Sequence, residues 1–279
     1  MFSLTSQVMQ DKLLPVFLVG FQRSGTNMTV WALDKSSKIN LFNENDDKAF
    51  VKFKLRELDV ICKLLESEKE KGQKIALFKP ISDTPKTLYW LEKLPELKIL
   101  FCYRNFYDVV NSHGVAFGDK GANVLRNCLK NVQDKSTSVL IKLYGEREDF
   151  LSLELVRKYY HDNLDNNSIF ALSWLFMNHL YFDLNLNDNT RVLPLCYETT
   201  VEDPKRSFAE ICSFIGIKYQ DHLIQDIHAK SVNKESQPLI DKNIEYECRL
   251  LYDKLIQGTD TKYLALNNKL NRLKRMFKW

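Results

Sequence analysis

The sequence predicts a doubly wound α/β fold built on a mostly parallel central sheet, and two features predict it. Short β-rich apolar runs recur at Val16–Gly20, Ile75–Lys79, Ile99–Tyr103 and Val192–Tyr197, each bounded by a polar residue or a proline. Strands buried on both faces read as such continuous runs. Parallel neighbours also need helical crossovers, which the intervening segments can form.

The elements follow in order. The chain has 279 residues and 44% apolar content, enough to bury a sizeable core, and it reads as one domain over residues 1–279. The first strand runs into a loop of small residues and then a helix beginning near Thr26. Asp46 to Gly72 is charged and reads as a helix with a glycine stop. Thr84-Pro85 opens a short helix through Leu94, which Pro95 ends. After Gly121 the pattern changes: Ala122 to Asn187 reads as several helices, including an amphipathic Phe170 to Leu184. This predicts a helical cap over about residues 118–188, the region expected to select an acceptor. A basic tail, about residues 262–279, sets Leu266, Leu270, Leu273 and Phe277 on one helical face. Such a stretch either docks on the core or rests on an anionic membrane surface.

Composition removes several classes of function. The net charge of +4 is too balanced for a nucleic-acid-coating surface, so any anion preference has to be local. The six cysteines contain no CxxC pair, no apolar run reaches the roughly 18 residues of a spanning helix, and the N-terminus lacks a basic-then-apolar leader; a reduced, cytoplasmic protein is the expectation. The five histidines form no metal-ligand spacing, so no metal is expected. Asn27-Met28-Thr29 and Asn166-Asn167-Ser168 read as chance matches to the glycosylation pattern.

Chemistry concentrates in two strand-to-helix corners. In the first, Val16–Asn27 carries an apolar strand into Gly20-Phe-Gln-Arg23-Ser24-Gly25-Thr26-Asn27 and a helix. Backbone amides at a helix start form a cradle for a phosphate, and Gly20 and Gly25 allow close approach. The Gly20-x4-Gly25 spacing is that of a Walker A loop, but Thr26-Asn27 replaces its Lys-Ser/Thr, which disfavours an ordinary ATPase. Arg23 supplies the cation instead. The alternative is a glycine turn with a solvated arginine. In the second corner, Lys98–Arg104 is a strand ending in arginine, followed by a helix that carries Ser112 two turns on. Arg104 and Ser112 frame a second phosphate in one reading; in the other, Arg104 simply pairs with Asp108.

These two corners together resemble the PAPS-dependent sulfotransferases, closer to the carbohydrate-directed and bacterial members than to the cytosolic small-molecule branch. Arg23-Ser24-Gly25-Thr26-Asn27 is similar to the family's 5′-phosphosulfate loop, and Arg104 through Ser112 to its 3′-phosphate segment. Leu195-Cys-Tyr197-Glu198, Asp203-Pro204 and Phe214-Ile-Gly216 resemble the strand and helix after the cap, where a tyrosine lies near adenine. Lys79-Pro80 resembles a strand-end Lys-Pro of carbohydrate-directed and bacterial members. Gln22, Asn27 and Phe106 depart from the usual residues, and no Arg-Lys-Gly signature marks the third 3′-phosphate contact; Ser231 and Lys234 are the candidates for it.

The resemblance implies 3′-phosphoadenosine 5′-phosphosulfate (PAPS) as donor, 3′,5′-ADP as product, and an acceptor hydroxyl or amine, with a carbohydrate first among acceptors. Arg23 would stabilise the leaving oxygen. The cytosolic branch's histidine, two residues past its strand-end lysine, is replaced here by Ile81. Glu44 resembles the catalytic glutamate of carbohydrate and protein sulfotransferases, with a solvated loop acid as its alternative; His179 is the reserve base and His113 reads as structural. Two rivals stand beside this reading: a nucleotide or small-molecule kinase, which shares the sheet and loop, and a non-catalytic module binding adenosine 3′,5′-bisphosphate.

Overall fold

A computed structural model describes residues 13–134, 150–229, 232 and 236–276, with side chains as far as residue 262. In chain order the strands are β1 (Leu14–Gly20), β2 (Ile39–Phe42), β3 (Phe50–Val51), β4 (Lys54–Leu55), β5 (Ile75–Phe78), β6 (Lys98–Tyr103) and β7 (Val192–Cys196). Five of them form one sheet in the order β2-β5-β1-β6-β7, with every neighbouring pair parallel. β3 and β4 make a separate antiparallel hairpin.

The four expected strands are present, shifted by one or two residues at their ends, and β2 is a fifth. It lies at the sheet edge and contains half-buried Asn40, so it lacks the continuous apolar run that marks the central strands. Pro194 lies in β7, the other edge strand, where a missing amide is tolerated.

Side chains alternate across the sheet and build a core on each face. Phe17, Val19, Phe78, Phe101 and Tyr103 point into one, and Val16, Leu18, Leu77, Leu100 and Cys102 into the other. The second face is covered by α1 (Thr26–Asp34), through Val30 and Leu33, and by Phe208 and Ile211 of a later helix. The first face is covered by α3 (Thr87–Lys93), the cap and the C-terminal helix. The stretch expected as a cap over about residues 118–188 holds the later part of α4 (Phe106–Gln133), kinked at Gly118, with α5 (Leu151–Tyr159) and α6 (Asn166–Asp183); these are called the cap helices below. Then follow α7 (Tyr197–Glu202), α8 (Pro204–Ile215) and α9 (Lys242–Met276).

The sequence signals act locally as physics requires. Asp203 caps α8 by accepting from the Arg206 amide, Pro204 opens the helix, and Gly216 ends it in the left-handed conformation. In α9, Ile244, Cys248, Leu251 and Leu255 recur every three or four residues and are buried. The amphipathic stretch of the basic tail, with Leu266 and Phe277, lies outside the described side chains, as do Ser231 and Lys234 outside the described residues.

Two expected helices are corrected. Asp46–Gly72 is helical only as α2 (Leu58–Glu70). Its first part is a turn in which the Asp46 carbonyl accepts from the Ala49 and Phe50 amides and its carboxylate from that of Lys48, followed by the hairpin. Local bonding by an aspartate competes with the helix ladder, and burial of Phe50 and Leu55 settles the pairing. The Thr84-Pro85 helix is a 3-10 turn over Ile81–Lys86 that leads into α3. All six cysteines are free. Among the described residues no helix is long and apolar enough to cross a membrane.

Candidate active site

The chain passes from β1 to β2 and β5 on one side, then crosses to β6 and β7 on the other, so β1 and β6 flank the reversal of strand order. Crevices at such a reversal, beyond the carboxyl ends of the strands, are where open α/β sheets receive ligands. Gly20 ends β1 at φ 134°, and a Cβ there would stand 2.1 Å from the Cys102 carbonyl oxygen. Arg23 holds a left-handed φ of 67°, uncommon for a residue with a side chain. Gly25, at φ 84°, is the N-cap of α1, and a Cβ there would meet Tyr197 Cδ2 at 2.4 Å. No side chain caps α1, which leaves its first-turn amides open to a ligand.

The two basic corners face each other. Arg23 Nε donates to Ser112 Oγ at 2.9 Å, and Arg104 Nη1 donates to the Arg23 carbonyl at 3.3 Å. The Arg104 guanidinium also stacks on the Tyr197 ring, 4.4 Å from its centroid, and pairs with Asp108 at 3.3 Å. Thus the local pairing anticipated for Arg104 exists, and the residue nonetheless lines the shared cavity. The cap contributes from behind: Trp174 Nε1 of α6 donates to the Arg104 carbonyl at 3.0 Å.

A cavity of about 540 Å³ joins these groups, lined by Arg23, Gly25, Thr26, Asn27, Arg104, Ser112 and Tyr197 among others. Ser24, within the loop, is buried and does not line the cavity, and its hydroxyl has no hydrogen-bond partner among the described residues. Two guanidinium groups, an uncapped helix start and close-approach glycines form a donor set suited to an elongated, doubly anionic ligand. Among the described residues no group of histidine, cysteine and carboxylate side chains could hold a metal.

Glu44 and Lys79 form a second pair at the ends of β2 and β5. Lys79 Nζ donates to Glu44 Oε2 at 2.6 Å; Lys79 is buried and Glu44 largely so. Neither lines the cavity between the basic corners. The predicted residues therefore divide into one cluster beyond β1, β6 and β7 and another beyond β2 and β5. His113 is buried among Phe21, Phe117 and Phe170, and burial, aided by the Arg23 charge, lowers its pKa to about 4. It stays neutral at ordinary pH. His179 is buried in α6, with Nδ1 3.6 Å from Asp183.

Sequence reasoning assigned no role to two contributors. Trp31 is 57% exposed and lines the cavity with Asn27, one turn earlier on α1; the i, i+4 spacing was the available signal. Glu198 is the other. Its Oε1 accepts from the Asn105 amide at 3.0 Å, and its Oε2 from Cys196 Sγ and Tyr252 OH at 3.3 and 3.2 Å. This ties the residue after Arg104 to the residue after Tyr197, and burial raises the carboxyl above its ordinary pKa.

Among solved structures, mouse sulfotransferase SULT7A1 complexed with PAP is 15% identical, with 91% of this chain and 90% of that chain covered and a TM-score of 0.47. The sulfotransferase from Alicyclobacillus acidocaldarius is 15% identical over 88% of this chain and 94% of that one, with a TM-score of 0.46. The sulfotransferase domain of the Synechococcus PCC 7002 olefin synthase is 16% identical over 90% and 94%, at 0.44. No curated protein matches the chain. The sulfotransferase domain family, in contrast, matches residues 14–246, which takes in both basic corners, the Glu44–Lys79 pair and Tyr197, and the chain belongs to that family.

Proposed function

We propose that this chain transfers a sulfuryl group from PAPS to an acceptor hydroxyl or amine, a carbohydrate first among acceptors, and works as one domain capped by about residues 118–188. The observation that carries the reading is the convergence of Arg23 and Arg104 on one cavity, with Arg104 Nη1 donating to the Arg23 carbonyl at 3.3 Å. Two separate phosphate cradles meeting in this way suit a donor that bears anionic groups at both ends of one adenosine.

Arg23, Ser24, Gly25, Thr26 and Asn27 would hold the 5′ end, with the α1 amides and the Arg23 guanidinium facing the oxygens that gain charge. Arg104 and Ser112 would hold the 3′-phosphate, and Tyr197 and Trp31 offer flat surfaces beside it. When bound, PAPS supplies the sulfuryl group and departs as 3′,5′-ADP. Glu44 takes the acceptor proton, and Lys79 holds the Glu44 carboxylate in place. The carbohydrate preference rests on the resemblance of Glu44 and Lys79-Pro80 to carbohydrate-directed members.

Calorimetry with 3′,5′-ADP, ADP and Mg-ATP tests the donor. The expected result is a preference of at least about tenfold for 3′,5′-ADP, one charge-assisted contact to the 3′-phosphate being sufficient for it. Tighter Mg-ATP binding with no response to the 3′-phosphate would instead mark a kinase. Incubation with radiolabelled PAPS and a glycan-bearing cell extract then identifies the acceptor from the labelled product.

A further inference from the structure

The β3–β4 hairpin turns through Lys52 and Phe53, both left-handed at φ 48° and 65°. Two-residue hairpin turns with positive φ at both positions favour Asn-Gly or Asp-Gly, because larger L side chains are strained there. This chain places a cation and an aromatic ring at those positions and carries both into solvent. Phe53 is 60% exposed and Val51, two residues earlier, 49%.

The register explains which residues face outward. Phe50 and Leu55 pair and are buried, whereas Val51 and Lys54 pair on the opposite side and are exposed. Lys48 is exposed as well, and no acidic residue occurs between Lys48 and Arg56. The root is firmly held: the Leu55 amide donates to buried Asp83 at 2.7 Å, and the Arg56 amide and Nε donate to the Ala49 and Asp47 carbonyls at 2.9 and 2.8 Å.

We propose that this hairpin tip docks on an anionic phospholipid surface, Phe53 and Val51 entering the interface while Lys48, Lys52 and Lys54 meet lipid phosphates. An acidic polymer would use the lysines alone. The exposed apolar pair gains free energy by leaving water for an apolar environment, and the three lysines around it match the negative charge of a phospholipid surface. The inference stands apart from the sulfotransfer reading and uses none of the residues assigned to that site.

The test is sedimentation of the full chain with phosphatidylcholine vesicles, with and without 30 mol% phosphatidylserine (about that fraction suffices for a negative surface potential). Lys52→Glu/Lys54→Glu should lower partitioning to the anionic vesicles by at least about 25-fold, near fivefold per lysine. Phe53→Gly separates a binding role from a structural one, because it relieves the turn. The thermal midpoint should rise by about 2 °C while vesicle binding falls, opposite signs that a purely structural Phe53 cannot produce. A chain carrying Lys269→Gln, Arg272→Gln, Lys274→Gln and Arg275→Gln should retain most binding. The proposal is overturned if that tail variant abolishes sedimentation while the hairpin variants leave it intact. It is equally overturned if Phe53→Gly binds vesicles normally, or if the chain binds heparin but not vesicles, which would make the lysines a polyanion site.

Discussion

The Arg104 guanidinium combines a bond to the Arg23 carbonyl, a stack on Tyr197 and an ion pair with Asp108. Only a planar guanidinium can serve all three, since a lysine ammonium has neither the flat face nor the fixed fork. Arg104→Ala is therefore expected to cost about 1.5–3 kcal/mol of 3′,5′-ADP affinity, and Arg104→Lys should recover little of it by calorimetry. Glu44 presents the opposite profile. It lies with Lys79 outside the cavity of the basic corners, so Glu44→Gln should leave 3′,5′-ADP affinity unchanged while turnover falls by about 10²- to 10⁴-fold. Undiminished turnover in that variant would remove Glu44 as the base.

At the scale of elements, the parts legible in the sequence were those where one residue type alone satisfies the backbone. Gly20 and Gly25 lie where a Cβ would strike Cys102 or Tyr197, and the central strands are apolar because both of their faces are covered. The rest was less legible because the information is not local. β2 is an edge strand without a full apolar run, the start of the expected 46–72 helix gave way to Asp46 turn bonds, and the Glu44–Lys79 pair spans 35 residues. Glu198 shows the same limit most clearly. It belongs to a recognisable stretch, yet its role emerges only when the ends of β6 and β7 lie side by side, with Tyr252 of α9 closing the group. These bonds join the segments that carry Arg104 and Tyr197, which predicts a positioning role for Glu198. Removing it with Glu198→Ala strands the Asn105 amide and two further donors, at about 1–3 kcal/mol of stability. Steady-state kinetics should show a raised KM for the donor with kcat little altered, partly restored in Glu198→Gln, which keeps an acceptor oxygen. Equal loss of kcat in both variants would contradict a positioning role.

For the whole molecule, the cap and the sheet meet at His113, which stacks on Phe21 of the β1 loop at 4.9 Å and contacts Phe117 of α4 and Phe170 of α6, each at 5.2 Å. Folding therefore buries an imidazole where the loop after β1 and two cap helices converge. Its pKa is about 4 in the folded chain against an ordinary 6.5, first from burial and then from the Arg23 charge, opposed by a backbone contact at Gln22. Between those two values the unfolded chain binds a proton that the folded chain does not, so stability rises with pH across the window and is lost as pH falls from about 6.5 towards 4. The interval corresponds to about 3 kcal/mol, a sizeable fraction of a typical domain's 5–15 kcal/mol. Urea unfolding between pH 4 and 7 should show this slope in the native chain and a shallower one in His113→Phe, which keeps the aromatic packing and cannot be protonated. The difference in slope, rather than either absolute stability, is the quantity that decides, because the larger ring changes packing at every pH alike. Parallel curves would mean that the cap helices lose their hold on the loop after β1 through other groups and that His113 only fills space.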